Sequence, residues 1–281
     1  MAELIAIVGL GLLGGRVCRR LPVSVPLLLV DYDVVVPANT PRQYPRDAIG
    51  LPKVEAARNM YAPRAQVVHK HVDLTTVGLL SGASLVIDCT DNLTTRFVLN
   101  DWCAREGVPW IHSAMTDEAG SVATFLPEGP CFACVHGPGM GEVCGPAANT
   151  ALAERIAEVV LLEVQRARRG QLAPHFTRVT LKVARSFEIE RRPHCLTCTG
   201  RYPFLERPAR GFYITYCVAA KCMAAKPMRH IHDHGVPARR VVNGMPLEIY
   251  PNGEIHFLER ADEDLLYQIA EEVYPTLAKP Y

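Results

Sequence analysis

The chain has 281 residues with a formal net charge of +1; 49% of the residues are hydrophobic and 21% are charged. This composition is typical of a globular protein and argues against a disordered one. Because the net charge is close to zero, the electrostatic field of the whole protein does not favour nucleic acid or an anionic membrane as a partner. The apolar start of the chain is too short to cross a bilayer, and Glu3 stands where a secretory signal carries positive charge. We therefore expect a cytoplasmic protein without a membrane span.

Short apolar runs alternate with helical segments in the first part of the chain. We expect strands at 4–8, 26–31, 66–69, 84–88 and 109–112, and helices near 12–21, 53–60 and 94–104. Fully apolar strands between amphipathic helices predict a mostly parallel sheet with helices on both faces. The expected fold class is therefore α/β and Rossmann-like.

The pattern changes after Thr116. Residues 120–126 alternate as in an antiparallel strand, the strongest helical pattern covers 147–168, and 177–189 predicts one or two further strands. The parallel sheet is therefore expected to continue into antiparallel strands.

The end of the chain predicts a small separate unit. Residues 246–258 indicate a β-hairpin that turns at Pro251-Asn252-Gly253, and a final helix is expected at about 261–273. We therefore divide the chain into a main domain over 1–204 and a C-terminal extension over 205–281.

A glycine motif lies between the first strand and the first helix. Gly9, Gly11 and Gly14 form GxGxxG, in which glycines allow a tight turn and let phosphate approach a helix N-terminus. The second strand ends at Asp31, where an acidic side chain can bind ribose hydroxyls. Alone, this pattern predicts a nucleotide-binding fold with NAD-dependent chemistry as the default.

Three charged residues further along favour ATP instead. The planar guanidinium of Arg42 can bind two phosphate oxygens, and the ammonium of Lys53 can bind one. The carboxylate of Asp91 can bind Mg²⁺. An ordinary dehydrogenase does not need this set around its cofactor. The residues therefore indicate a triphosphate site.

Two CxxC motifs separated by 60 residues predict a metal site. Their members are Cys131, Cys134, Cys195 and Cys198. Two such turns complete a closed tetrahedral Cys₄ zinc site of the structural type. The alternatives are two redox motifs, four buried thiols, or a mixed ligand set that includes His136 or His194.

Taken together, these blocks resemble the ThiF/MoeB/HesA family of adenylating enzymes, which are related to ubiquitin activation. The resemblance covers roughly residues 4–200, with the motifs in the same order and at nearly the same spacing. It implies that Asp31 binds ribose and that Asp91, with Asn92 beside it, serves Mg²⁺. The residues implied to line the triphosphate are Asn39, Arg42, Gln43 and Lys53.

The resemblance also implies an activity. The expected reaction is ATP-dependent adenylation of the C-terminal carboxylate of a ubiquitin-like or sulfur-carrier protein with a Gly-Gly tail, with release of pyrophosphate. It implies ATP, Mg²⁺ and structural zinc as cofactors, and a homodimer; residues 205–281 are a candidate for acceptor recognition. Alternatives are adenylation of a peptide or small-molecule carboxylate, and a nucleotide-binding scaffold without catalysis.

The chain departs from the family pattern in two places. Leu12 stands where the family loop usually has a glycine. The chain begins almost at the first strand, whereas family members tend to have an N-terminal arm that offers an arginine to the partner subunit. Either another arginine replaces it, with Arg16, Arg46 and Arg96 as unranked candidates, or catalysis is weaker.

Two features are open. Cys144, directly before Gly145-Pro146, is either a nucleophile or a structural thiol, and a thiol at a helix N-terminus has a lowered pKa. His230, His232 and His234 alternate as on one face of a strand, which suits either a second metal or a solvent-exposed loop.

Overall fold

The computed structural model describes residues 4–40, 42–136, 149–206, 212–216, 223–227, 238–249, 255–259 and 263–273. Strands β1 to β8 span Ile5–Val8, Leu27–Val30, Gln66–Val68, Leu85–Asp88, Trp110–Met115, Gly120–Phe125, His175–Val179 and Ala184–Phe187. Helices α1 to α6 span Leu12–Arg20, Lys53–Tyr61, Leu93–Glu106, Phe132–Val135, Thr150–Arg168 and Pro203–Glu206. Every strand and helix expected up to residue 189 is therefore confirmed as an element.

These eight strands form one sheet in the order β3-β2-β1-β4-β5-β6-β7-β8. The pairs from β3 to β5 are parallel, and those from β5 to β8 are antiparallel. The predicted Rossmann-like class with an antiparallel continuation is confirmed. The carboxyl ends of β1, β2 and β4 meet at one edge of the sheet, where ligands bind in open α/β folds.

The sheet is buried on both faces, as its fully apolar strands require. Ile7 packs with α1, α2 and α5, whereas Val8 points to the other face and packs with α3. Because successive side chains of a strand point to opposite faces, each of these strands needs helices on both sides.

Two element boundaries differ by three residues from the expected ones. The strand expected to end at 112 continues to Met115, because it pairs antiparallel with β6 as far as the partners Met115 and Gly120. The helix expected from 147 begins at Thr150, where Asn149 Oδ1 accepts a hydrogen bond from Leu152 N at 3.0 Å. An asparagine at this position satisfies a backbone donor of the first helical turn.

A second, antiparallel sheet follows. Strands β9 to β13 span Phe212–Tyr216, Met223–Pro227, Ala238–Val242, Met245–Ile249 and Ile255–Phe257, and helix α7 spans Glu263–Val273. The sheet order is β11-β12-β13-β10-β9. Leu247 pairs with Phe257, which confirms the hairpin, and Leu266 and Ile269 of α7 pack in the same apolar cluster. The proposed turn at 251–253 lies outside the described residues.

Across the described part of the chain, no helix combines the length and the apolar character that a bilayer span requires.

Candidate functional site

The glycine loop joins β1 to α1 and crosses the end of β4 at close range. Gly9 has a φ of +88°, and a Cβ added there would lie 2.7 Å from the carbonyl oxygen of Cys89. A Cβ on Gly14 would lie 1.9 Å from the carbonyl oxygen of Gly9, whereas one on Gly11 would meet nothing within 4 Å. Backbone packing therefore requires Gly9 and Gly14, and Gly11 leaves the backbone open to a ligand.

A cavity of about 360 Å³ opens beside this loop at the carboxyl ends of the strands. Eight of the ten nucleotide-site residues predicted from the sequence line it: Gly9, Gly11, Asp31, Arg42, Gln43, Lys53, Asp91 and Asn92. Leu12, which stands at the family's glycine position, lines it as well. The cavity is large enough for a small-molecule ligand.

Asn39 and Gly14 are the two predicted residues that lie outside this lining. Asn39 Oδ1 accepts a hydrogen bond from Val36 N at 3.0 Å, and its carbonyl oxygen accepts one from Gln43 N at 2.9 Å. The side chain thus closes the 3₁₀ turn Pro37–Asn39 that precedes Arg42.

Asp31 ties the end of β2 to the glycine loop. Its Oδ2 accepts a hydrogen bond from Leu10 N at 2.5 Å, and its Oδ1 accepts one from Asp33 N at 2.7 Å. Burial raises the pKa of Asp31 to about 6, although Lys53 acts in the opposite direction. Its carboxylate therefore titrates closer to neutrality than that of an exposed aspartate.

Lys53 is a buried cation that lines the cavity, with 8% of its surface exposed. Its Nζ lies 2.7 Å from Asp33 Oδ2. Burial lowers the pKa of Lys53, but the attraction of Asp33 and Asp31 outweighs this effect and raises it. The ammonium is therefore charged at neutral pH and available to an anionic ligand.

The three unranked arginines lie in different places. Arg16 Nε lies 3.0 Å from Glu154 Oε1, and Arg16 Nη2 donates to the carbonyl oxygen of Arg42 at 3.3 Å. Arg46 is exposed in the same loop as Arg42 and does not line the cavity. Arg96 is buried and does line it. Of the three, Arg96 alone lines the cavity.

Sequence reasoning missed one wall of the cavity, which consists of Tyr32, Lys70, His71, Val72 and Thr95. The rings of Tyr32 and His71 meet edge to face, with centroids 5.0 Å apart. A signal was present in the sequence, because His71 follows β3 and parallel strands end at a common edge.

The four cysteines of the two CxxC motifs form one cluster. All their Sγ atoms lie within 4.8 Å of one another, and the pairs 131–134, 131–195 and 134–198 are separated by 3.8, 3.5 and 3.5 Å. A tetrahedral zinc with Zn–S bonds of about 2.3 Å requires sulfur atoms about 3.8 Å apart. The donor set and its spacing therefore fit zinc.

The four thiols of the cluster do not share one electrostatic environment: burial raises the pKa of Cys131 and Cys198, whereas the pKa of Cys134 is lowered. Arg192 N donates to Cys134 Sγ at 3.4 Å, and backbone donors lower the pKa of Cys134 although burial acts to raise it. The ring of His136 stacks on Phe132 with centroids 4.3 Å apart. Among the described residues, the metal-ligand group at this place consists of the cysteines alone.

Several predicted residues lie outside the described part of the chain. They are Cys144, Gly145-Pro146 and the histidines His230, His232 and His234.

Comparison with known proteins gives a family match for this sequence and curated relatives with which it shares about a third of the aligned residues. The model of the ThiF family matches residues 2–242. The SAMP-activating enzyme E1 of Haloferax volcanii is 36% identical over 145 residues, which are 48% of this chain and 54% of that protein. The molybdopterin-synthase adenylyltransferase of Salmonella typhimurium is 34% identical over 147 residues, 47% of this chain and 57% of that protein. The chain thus spans about half the length of the curated relatives it matches.

Solved structures give the same fold at lower identity. The microcin C7 biosynthetic enzyme MccB of E. coli, in complex with N-formylated MccA, aligns with a TM-score of 0.61 and 18% identity over 70% of this chain and 67% of that one. MccB with ATP aligns with a TM-score of 0.60 and 18% identity over 70% and 66%. At this identity the likeness establishes a shared fold alone.

Proposed function

Because this chain belongs to the ThiF family, we propose that it is an ATP-dependent adenylyltransferase that activates the C-terminal carboxylate of a ubiquitin-like or sulfur-carrier protein. The names of its relatives support this proposal: they include an activating enzyme for SAMP, an adenylyltransferase for molybdopterin synthase and a ubiquitin-like modifier-activating enzyme. The acceptor is expected to end in Gly-Gly, so that its tail can reach the cavity.

The observation that carries the proposal is the convergence of three charges on one cavity. Arg42, Lys53 and Asp91 come from three different segments, and all line the space beside the open Gly11. Two cations, one exposed carboxylate and a free helix N-terminus suit a magnesium-bound triphosphate. Asp31, at the end of β2, is placed for the ribose.

The chemistry needs no general base. A C-terminal carboxylate has a pKa of about 3.3–3.7 and is ionised at neutral pH. One of its oxygens attacks the α-phosphorus of ATP; a new O–P bond forms while the bond to the bridging oxygen breaks, and pyrophosphate leaves with that electron pair. Lys53 and Arg42 stabilise the charge that develops on the leaving group. Mg²⁺, held through Asp91 when bound, neutralises further phosphate charge.

The zinc has a structural role in this proposal. Four thiolates leave no open position for substrate, and the two motifs join residues 131–134 to residues 195–198, so metal binding ties the chain after β6 to the chain after β8. Reduced cysteines are the rule in the cytoplasm, where we place the protein.

We also propose that the protein is a homodimer with two Mg²⁺-dependent sites per dimer. Residues 205–281 are proposed to recognise the acceptor as a unit separate from 1–204.

The test is exchange of labelled pyrophosphate into ATP, with and without a Gly-Gly-ending carrier protein. Exchange that depends on the carrier is expected. Arg42→Ala should abolish it, while Arg64→Ala, a matched exposed arginine outside the cavity lining, should retain it. Exchange with peptide or small-molecule carboxylates alone would instead favour the second enzyme hypothesis. ATP binding without exchange for any acceptor would favour the scaffold.

Cys144 is proposed as a nucleophile that acts after adenylation. Its thiolate would attack the acyl carbon of the adenylate, forming a thioester and releasing AMP. Cys144→Ala should then keep pyrophosphate exchange but lose the carrier–enzyme thioester, detected by mass spectrometry of the intact protein. A thioester that survives this substitution would exclude Cys144.

A further inference from the structure

The carboxylate of Asp88 organises the turn that leads to Asp91. Asp88 ends β4 and is completely buried. Its Oδ1 accepts hydrogen bonds from Thr90 N at 2.9 Å and from Thr90 Oγ1 at 2.6 Å, and its Oδ2 lies 2.7 Å from His112 Nδ1. A buried carboxylate is stable only when its oxygens are bonded in this way. The turn after β4 is therefore fixed from inside the protein.

Arg96 holds the same turn from the side of α3. Its Nη2 donates to the carbonyl oxygen of Thr90 at 2.5 Å, and its Nε lies 3.7 Å from Asp88 Oδ2. Both the N–H and the carbonyl of Thr90 are thus bound. The next residue is Asp91, which is exposed on the cavity wall, so its backbone position depends on these contacts.

His112 connects this assembly to the cysteine cluster. Its ring lies edge to face against Phe132, with centroids 5.1 Å apart, and Phe132 follows Cys131 directly. Both His112 and Phe132 are completely buried. Because protein interiors are close-packed, a change in the position of α4 is transmitted to His112.

We infer that Asp88, His112 and Arg96 are positioning residues that hold Asp91 for magnesium, and that the cysteine cluster supports them through Phe132. The inference rests on the proposed function, since it takes Asp91 as the magnesium ligand. Outer partners of a metal ligand typically contribute 10- to 100-fold to metal affinity. Loss of the His112 donor should therefore weaken the magnesium-dependent part of ATP binding and leave the metal-free part nearly unchanged.

The experiment measures ATP binding by calorimetry over a series of Mg²⁺ concentrations. His112→Phe fills the ring volume but cannot donate to Asp88; we expect it to raise the Mg²⁺ concentration for half-maximal binding about 10- to 100-fold. His112→Asn restores a donor and should recover most of that loss. In both variants the metal-free dissociation constant of ATP should change by less than about threefold, with zinc content unchanged.

A matched control is His175→Phe. His175 Nε2 on β7 lies 3.3 Å from Glu163 Oε1 on α5, so this is another histidine–carboxylate pair, and it does not line the cavity. Its Mg²⁺ concentration for half-maximal ATP binding should equal that of the unsubstituted protein.

If His112→Phe does not fold, Thr90→Val is the alternative variant. It removes one donor to Asp88 at similar volume and should raise that Mg²⁺ concentration about threefold.

Two results would overturn the inference. One is an unchanged magnesium requirement in His112→Phe or, where that variant does not fold, in Thr90→Val. The other is an equal loss of metal-free and magnesium-dependent binding, which would indicate a general structural role. Pyrophosphate exchange is scored separately: an unsubstituted protein that binds magnesium-ATP without exchange contradicts the proposed function and leaves this inference standing.

Discussion

Asp31 Oδ2 accepts a hydrogen bond from Leu10 N at 2.5 Å. This single contact joins the end of β2 to the middle of the glycine loop, two segments that are 21 residues apart in the sequence. The residue expected to bind ribose therefore also holds the loop expected to bind phosphate. Both roles depend on the ionised carboxylate, which accepts hydrogen bonds at both oxygens.

The first prediction concerns pH. Burial raises the pKa of Asp31 to about 6, so the carboxylate is ionised above that pH and becomes protonated as the pH falls through it. Adenosine affinity should therefore be highest above about pH 6 and fall by up to tenfold per pH unit below it. Calorimetry with adenosine from about pH 5 to about pH 8 measures this, because adenosine carries no phosphate of its own to titrate.

The control for this pH profile is Asp31→Asn, which cannot titrate. It should bind adenosine more weakly and show no transition near pH 6. A transition of the same size in both proteins would assign the effect to a group other than Asp31.

The second prediction concerns Lys53. Because its ammonium is buried against Asp33 and lines the cavity, Lys53→Met should lower the rate of pyrophosphate exchange about 10²- to 10³-fold, as loss of a preorganised charge does at other active sites. Lys182→Met is the matched control, since Lys182 is exposed in the turn between β7 and β8. Equal rates in the two variants would remove Lys53 from the triphosphate site.

The third prediction is that alanine substitutions at Gly14 and Gly11 change the free energy of unfolding by different amounts. Gly14→Ala would place a methyl group 1.9 Å from the carbonyl oxygen of Gly9, so the free energy of unfolding should fall by about 1–3 kcal/mol or more. Gly11→Ala meets nothing within 4 Å; its unfolding free energy should stay within about 0.5 kcal/mol, while its methyl group should weaken ATP binding. Urea denaturation monitored by circular dichroism measures the first quantity, and similar losses in both variants would contradict the geometry.

The fourth prediction concerns the metal. Cys131→Ser should remove zinc and lower the midpoint of thermal unfolding, because zinc binding contributes directly to folding free energy. Cys103→Ala removes a buried thiol of α3 that lies outside the cluster, and it should keep about one zinc per chain. Elemental analysis of the purified proteins decides this, and full zinc content in Cys131→Ser would exclude the proposed ligand set.

Local patterns in the sequence determined most of the fold. The apolar runs of β1, β2 and β4, the helices between them and the GxGxxG loop are read from neighbouring residues, since hydrophobic periodicity and glycine turns are short-range properties. The two CxxC motifs likewise predicted a four-cysteine group, because each pair of thiols already shares one tight turn. The family resemblance assigned seven residues to ATP and Mg²⁺, and six of them line the cavity.

Only the tertiary structure shows which contacts form between segments that are distant in the sequence. In the structure Asn39 closes a turn and does not line the cavity, whereas Arg96 does line it. Strand β5 continues to Met115 because it pairs with β6. The structure also joins Asp88 to His112 across adjacent strands. These relationships depend on which strands become neighbours and on how side chains pack between them, and periodicity within a single segment carries no information about either.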